Sequence, residues 1–170
     1  MTTMRLPLAL ALVAMSLAAR GSGAPVPAAK AGALTSAQSN YIEYCSGCHG
    51  IQGRSRPTPL PELRDRVGYF MCTPQGREYL VRLPNVAHAP IPDDADLAAL
   101  MNFVVFGLGG ASVPKGSRPF EADEVGSLRR TPFVAGAALV AMRRRIVTDL
   151  IRRCGAPREL INDYSRQAPA

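Results

Sequence analysis

Residues 45–49 read Cys-Ser-Gly-Cys-His, and this pentapeptide constrains the chain more than any other feature. Two thiols three positions apart reach the two vinyl groups of one haem and form thioethers. The adjacent imidazole is then held beneath the iron. The spacing predicts a covalently attached haem c, with Cys45 and Cys48 as attachment points and His49 as proximal ligand. Three other chemistries use similar cysteine pairs. A thioredoxin-type pair needs a βαβ setting, which this sequence lacks. A zinc site needs further ligands at set spacing, and Cys72, His88 and Cys154 do not form a second pair. A plain disulfide would have no need of His49.

Composition and charge narrow the class further. The chain has 170 residues, no Trp, and only 6% aromatic residues. A core so poor in aromatics suits a domain filled by a cofactor. The net charge is +7, but residues 35–133 carry ten basic and ten acidic side chains and are neutral. The excess sits at the two ends, which argues against a nucleic-acid-binding domain, where basic charge gathers on the folded face. No apolar run reaches the roughly 20 residues a membrane-spanning helix needs.

The N-terminus has the layout of a secretory signal. Met1–Arg5 is basic, Leu6–Ala19 is apolar, and small residues follow through Ala24. Residues 1–24 are expected to be the signal, with the cleavage site open, and 25–34 a Pro/Ala-rich lead-in. Export to the periplasm agrees with haem attachment outside the cytoplasm.

With these residues in view, the stretch from Leu34 to Phe106 resembles the mono-haem class I cytochromes c, with looser similarity to Phe133. The resemblance implies an all-α fold, a small helical domain around the haem spanning 35–133; beyond it, residues 134–170 form a basic extension expected to be an amphipathic helix. Each part of the family layout has a counterpart here. Thr35-Ser36-Ala37-Gln38 reads as a capping box opening the first helix. Tyr41, four residues before Cys45, falls where the family places an aromatic beside the cofactor, with Phe103 its expected partner. Gly50 and Gly53 suit a tight loop, and Pro57, Pro59 and Pro61 keep it extended. By resemblance, the Pro61 carbonyl, or else that of Pro59, accepts the ring N–H of His49. Thr73-Pro74 opens a middle helix to about Leu83, with Tyr79, Leu80 and Leu83 inward. Asp93-Asp94-Ala95-Asp96 opens the last helix of the matched region. Leu97, Leu100, Met101 and Val104 follow at helical spacing, and Gly107, Gly109 and Gly110 stop it.

The sequence departs from the family at the distal ligand. In place of Met-Pro stands Val86-Ala87-His88-Ala89-Pro90. His88 is the candidate distal ligand. Met101 is an alternative, Met71 and Met142 are weaker ones, and an open sixth position is a further reading. A thioether raises the potential, a second imidazole lowers it, and an open site admits small ligands. Cys72 and Cys154 remain, and in an oxidising compartment they would be able to pair.

In the extension, Leu139, Met142, Ile146 and Leu150 recur at helical spacing, widened by Val140, Val147 and Ile151. Arg143, Arg144, Arg145, Arg152 and Arg153 are interleaved. The expected helix docks its apolar face on the domain and leaves its arginines in water. The alternative is a contact with an acidic partner or an anionic membrane surface. Residues 164–170 are expected to fray.

The function these features imply is one-electron transfer by a periplasmic carrier. Its partners would be redox proteins: a dehydrogenase or reductase on one side, another cytochrome or an oxidase on the other. The chain would serve equally as the cytochrome subunit of such an enzyme; no catalytic residue is assigned. Two alternatives stand beside this. One is a haem protein with an open distal site that binds a gas or reduces peroxide. The other is a structural module with a Cys45–Cys48 disulfide.

Overall fold

A computed structural model describes residues 34–55 and 60–164. The signal, the lead-in up to residue 33, Pro57, Pro59 and residues 165–170 lie outside the described residues. No strand occurs among the described residues, so the fold is all-α, as the resemblance implies.

Local chemistry sets the first elements. Helix α1 (Ser36–Tyr44) opens with the capping box: Thr35 Oγ1 accepts from the Gln38 N–H, and Gln38 Oε1 accepts from the Thr35 N–H at 2.9 Å. Helix α2 (Ser46–His49) follows across Cys45 and places Cys48 and His49 on one short turn. Gly50 ends it at φ 69°. A side chain there would be strained, and its Cβ would collide with the Arg54 carbonyl.

A 3₁₀ segment (Val67–Cys72) leads to α3 (Pro74–Arg82), capped by Thr73 Oγ1 on the Gly76 N–H at 3.1 Å. Tyr79 and Leu80 turn into the core, as expected. Leu83 is only partly buried, and Val81 takes a fully buried place. A one-turn helix, α4 (Pro84–Ala87), then carries the chain to His88. Pro84 at its first position suits a helix start, a signal that sequence reasoning missed.

Helix α5 (Asp94–Asn102) is capped by Asp93, whose carboxylate accepts from the Ala95 and Asp96 N–H groups at 2.7 and 3.1 Å. It does not stop cleanly. It widens into a π segment (Phe103–Leu108) before Gly109, and such widening often marks functional positions. Helix α6 (Ala122–Arg129) packs on α5 and α3.

The C-terminal segment forms α7 (Ala137–Cys154) and α8 (Leu160–Tyr164). Leu139, Ile146, Val147 and Leu150 of α7 join the same buried cluster as Tyr41, Phe70 and Leu97. Arg144, Arg145, Arg152 and Arg153 are at the surface, but Arg143 is half-buried on the inner side. The expectation of a single water-facing arginine face therefore fails at Arg143. Fraying fails at Tyr164, which is 5% exposed and donates its hydroxyl to the Glu62 carbonyl at 2.8 Å. Its ring also packs on Phe70, 5.0 Å between centroids. Burial offers both groups what an unstructured tail lacks.

A disulfide joins Cys72, at the end of the 3₁₀ segment, to Cys154, at the end of α7. It closes an 82-residue separation. Crosslinking a loop this long removes unfolded-state entropy worth about 4 kcal/mol. Replacing both cysteines by serine is expected to lower the unfolding free energy by about that amount, read from urea titrations of the full chain. Equal midpoints would show that packing alone holds α7 in place.

Candidate haem crevice

Tyr41 holds the end of the Cys45–His49 segment in place. It is 1% exposed, and its hydroxyl donates to the Gly50 carbonyl at 2.7 Å. Its ring meets Phe103 edge-on with 5.5 Å between centroids, an arrangement aromatic pairs favour. Burial pushes the Tyr41 hydroxyl up to about 12, so it stays a neutral donor. The Tyr41–Phe103 contact expected from the sequence is therefore present. It ties α1 to the π segment.

The loop after His49 folds back through one carbonyl. Gly53 O accepts from both Leu63 and Arg64 N–H, each at 2.9 Å. This brings Pro61 beneath the imidazole: His49 Nδ1 lies 3.1 Å from the Pro61 carbonyl oxygen. Ser55, 2% exposed, donates to the same oxygen at 2.7 Å. A carbonyl only accepts, so the proton belongs on Nδ1. That leaves Nε2 unprotonated, with no hydrogen bond among the described residues. Burial lowers the His49 pKa, opposed in part by the Pro61 contact. Burial thus favours the neutral imidazole, the form that ligates metals.

Cys45 is half-buried, and Cys48 is exposed one turn on. Burial pushes the Cys45 thiol up to about 11, with Cys48 adding to the rise. Redox-active C-x-x-C pairs need the reverse, a stabilised thiolate. The two cysteines are not disulfide-bonded to each other. Among the described residues no group of three or more His, Cys, Asp or Glu could hold a metal ion. The raised Cys45 thiol and the all-helical setting both run against the thioredoxin-type reading, which needs a stabilised thiolate and a βαβ unit.

Beside this segment lies a cavity of about 1200 Å³. Protein interiors rarely leave gaps much larger than a water molecule, and small-molecule sites usually span about 300–1,000 Å³. Tyr41, Cys45, His49, Pro61, His88 and Met101 all line it. The structure thus brings the candidate site residues to one cavity, apart from the exposed Cys48. The walls are mainly apolar, and the residues present fit a large flat apolar group carrying a metal. Met71 instead lines a separate depression near Arg77, and Met142 lines neither.

His88 and Met101 approach the cavity differently. Met101 is 4% exposed on α5. His88 is exposed and follows α4 directly, its backbone N–H bonded to the Pro84 carbonyl at 3.0 Å. Sequence reasoning missed what holds its segment. Arg129 of α6 donates to the carbonyls of Ala87, Ala89 and Ile91 at 3.2, 3.3 and 2.9 Å. It also pairs with Asp94 at 3.1 Å. One guanidinium thus clamps the backbone on both sides of His88.

Sequence reasoning also missed the part of the wall that the C-terminal segment supplies. Ala137, Leu139, Val140 and Arg143 of α7 line the same cavity, as does Tyr164 of α8. The helical periodicity was legible, but not the face's destination.

Losing the Arg129 clamp removes charge-assisted bonds worth about 1.5–3 kcal/mol. Arg129→Gln should speed amide exchange at Ala87–Ile91 by roughly ten- to a hundredfold, each 1.4 kcal/mol being about tenfold. Hydrogen–deuterium exchange by mass spectrometry reads this directly. Unchanged rates would mean that α4 alone fixes the segment.

No family profile matches the chain, and no solved structure matches it significantly. Two curated proteins do. Cytochrome c-552 of Thermus thermophilus is 28% identical over 102 residues, covering 50% of this chain and 78% of that protein. A second cytochrome c-552, from a named strain of Thermus thermophilus, shows 28% identity over 102 residues, covering 50% of this chain and 69% of its own length. Together with the helical fold, this similarity supports a c-type cytochrome.

Proposed function

We propose that this chain is an exported mono-haem cytochrome c of the class I type that carries single electrons between periplasmic redox proteins. The observation that carries the reading is His49: it follows C-x-x-C, lines a cavity of about 1200 Å³, and has Nδ1 engaged by Pro61. Cys45 and Cys48 would hold the cofactor through thioether bonds, and His49 Nε2 would ligate its iron. The haem supplies a ferric/ferrous couple, one electron per cycle. The protein's own contribution is to orient the imidazole through Pro61, exclude water with Tyr41, Leu97 and Met101, and supply the second axial group. We assign that group to His88, with Met101 as the alternative. The similarity to cytochrome c-552 supports the coarser reading of a c-type electron carrier binding haem.

The Cys72–Cys154 disulfide supports a location outside the reducing cytoplasm, and residues 1–24 read as the export signal. The cytochrome domain of 35–133 and the extension of 134–170 meet in one buried cluster. The partners are a dehydrogenase or reductase as donor and a cytochrome or oxidase as acceptor, docked weakly as redox encounters are. The exposed arginines of α7 suit an acidic partner surface.

The exposure of His88 favours a second reading, an open sixth position that binds a gas or reduces peroxide. One experiment separates the two. The full chain, expressed with haem-attachment machinery, is expected to gain the mass of one haem, lost in Cys45→Ala/Cys48→Ala. Its ferric and ferrous spectra should be low-spin, and His88→Ala should convert them to high-spin. A low-spin signal unchanged by the mutation, with a sulfur-to-iron band, moves the ligand to Met101. A high-spin wild type establishes the open site. A chain without haem overturns the cytochrome reading.

A further inference from the structure

Among the described residues, most half-buried arginines with tertiary contacts have several acceptors. Arg77 binds both oxygens of Glu124 and the carbonyls of Arg118 and Pro119. Arg129 binds Asp94 and three carbonyls. Arg82 reaches the Thr131 carbonyl and Glu78, with its guanidinium over the Phe133 ring. Arg143 is the exception. It is half-buried on the cavity wall, and its hydrogen bond runs from Nε to the Tyr79 hydroxyl. No carboxylate pairs with it among the described residues.

That arrangement is directional. Tyr79 is 1% exposed and stacks on Phe70 with 5.5 Å between centroids. Its hydroxyl is therefore a fixed anchor for Nε, which leaves both Nη groups for another acceptor. Leu139 and Val140 lie four and three residues before Arg143 and line the same cavity, so all three share one face of α7. The face is otherwise apolar and continues into Ile146 and Leu150. A half-buried cation on an otherwise apolar face is stabilised where an anion meets the Nη groups that Tyr79 leaves over. The planar guanidinium suits a carboxylate, which it binds through two parallel N–H groups.

We propose that Arg143 is a carboxylate-binding residue of the cavity, supplied by the C-terminal segment from beyond the region resembling a cytochrome domain. Resting on the haem reading above, the carboxylate is a propionate of the haem. The extension is then part of the cofactor site: it closes one wall and places one positive charge at the cofactor's anionic edge.

The charge has an electrostatic consequence. A fixed cation near the iron disfavours the ferric state, which carries one more positive charge. Removing it should shift the equilibrium toward ferric iron. The test is potentiometric titration of the holoprotein at one pH and ionic strength, for wild type, Arg143→Gln and Arg143→Lys. Arg143→Gln is expected to move the equilibrium about tenfold toward ferric, about 59 mV downward for a one-electron couple. Arg143→Lys should recover most of that, with thermal midpoints showing that both variants fold. An unchanged potential in a folded, haem-bearing Arg143→Gln overturns the proposal and leaves the cytochrome reading intact. A wild type without haem overturns both. If Arg143→Gln fails to accumulate, the wild-type holoprotein still decides. Resolved, slowly exchanging Arg143 Nη protons in its NMR spectrum indicate a bound carboxylate, and rapidly averaged ones overturn it.

Discussion

The geometry of the site depends on one carbonyl. Pro61 O receives His49 Nδ1 and Ser55 Oγ together, and by doing so it decides which imidazole nitrogen is left for chemistry. Without that acceptor the ring would be free to rotate and to change tautomer. The loop that delivers the carbonyl is closed by Gly53 O, which accepts two N–H groups, and by Gly50, whose left-handed backbone lets the chain turn beside Arg54. The pentapeptide supplies the two thiols and the imidazole, and this loop gives the imidazole an orientation.

Arginine does much of the remaining positioning, in a chain with two lysines among twenty basic residues. A guanidinium donates in several fixed directions at once, whereas an ammonium is a single point charge. Arg129 uses this to hold three carbonyls around His88. Arg77 bridges α3 to α6 through Glu124, whose carboxyl it holds below the usual range, and lies over Phe120 at 4.1 Å. These bonds join segments far apart in the chain. They fix loops that apolar packing alone would leave sliding.

What was legible in the sequence follows the range of the interactions. The caps of α1, α3 and α5 rest on contacts two or three residues long, so Thr35, Thr73 and Asp93 could be read directly. Tyr41 and Phe103 were legible because the resemblance paired them. The pairing of Cys72 with Cys154 had no local signature, and neither did the Arg129 clamp or the burial of Tyr164. All three depend on where distant segments meet. Helix α4 is only four residues long, too short to show a hydrophobic period. Arg143 was misplaced for a subtler reason. It adjoins Arg144 and Arg145, and a run of arginines reads as solvent-facing even though a helix turns each by about 100°.

The route of α7 explains why such a segment should belong to the site at all. Its C-terminal end is fastened by a disulfide to the residue just before the Thr73 cap of α3. Its middle is bound to Tyr79, a side chain of α3 itself, through Arg143. Two attachments to consecutive elements fix both the position and the rotation of the helix. Burial of Leu139, Ile146, Val147 and Leu150 already opposes rotation of the helix, and the two attachments add directional constraints that packing does not supply. Held at both points, Leu139 and Val140 become as firm a boundary as Leu97 or Met101. The cavity wall is therefore built by a segment whose own sequence carries no sign of a cofactor.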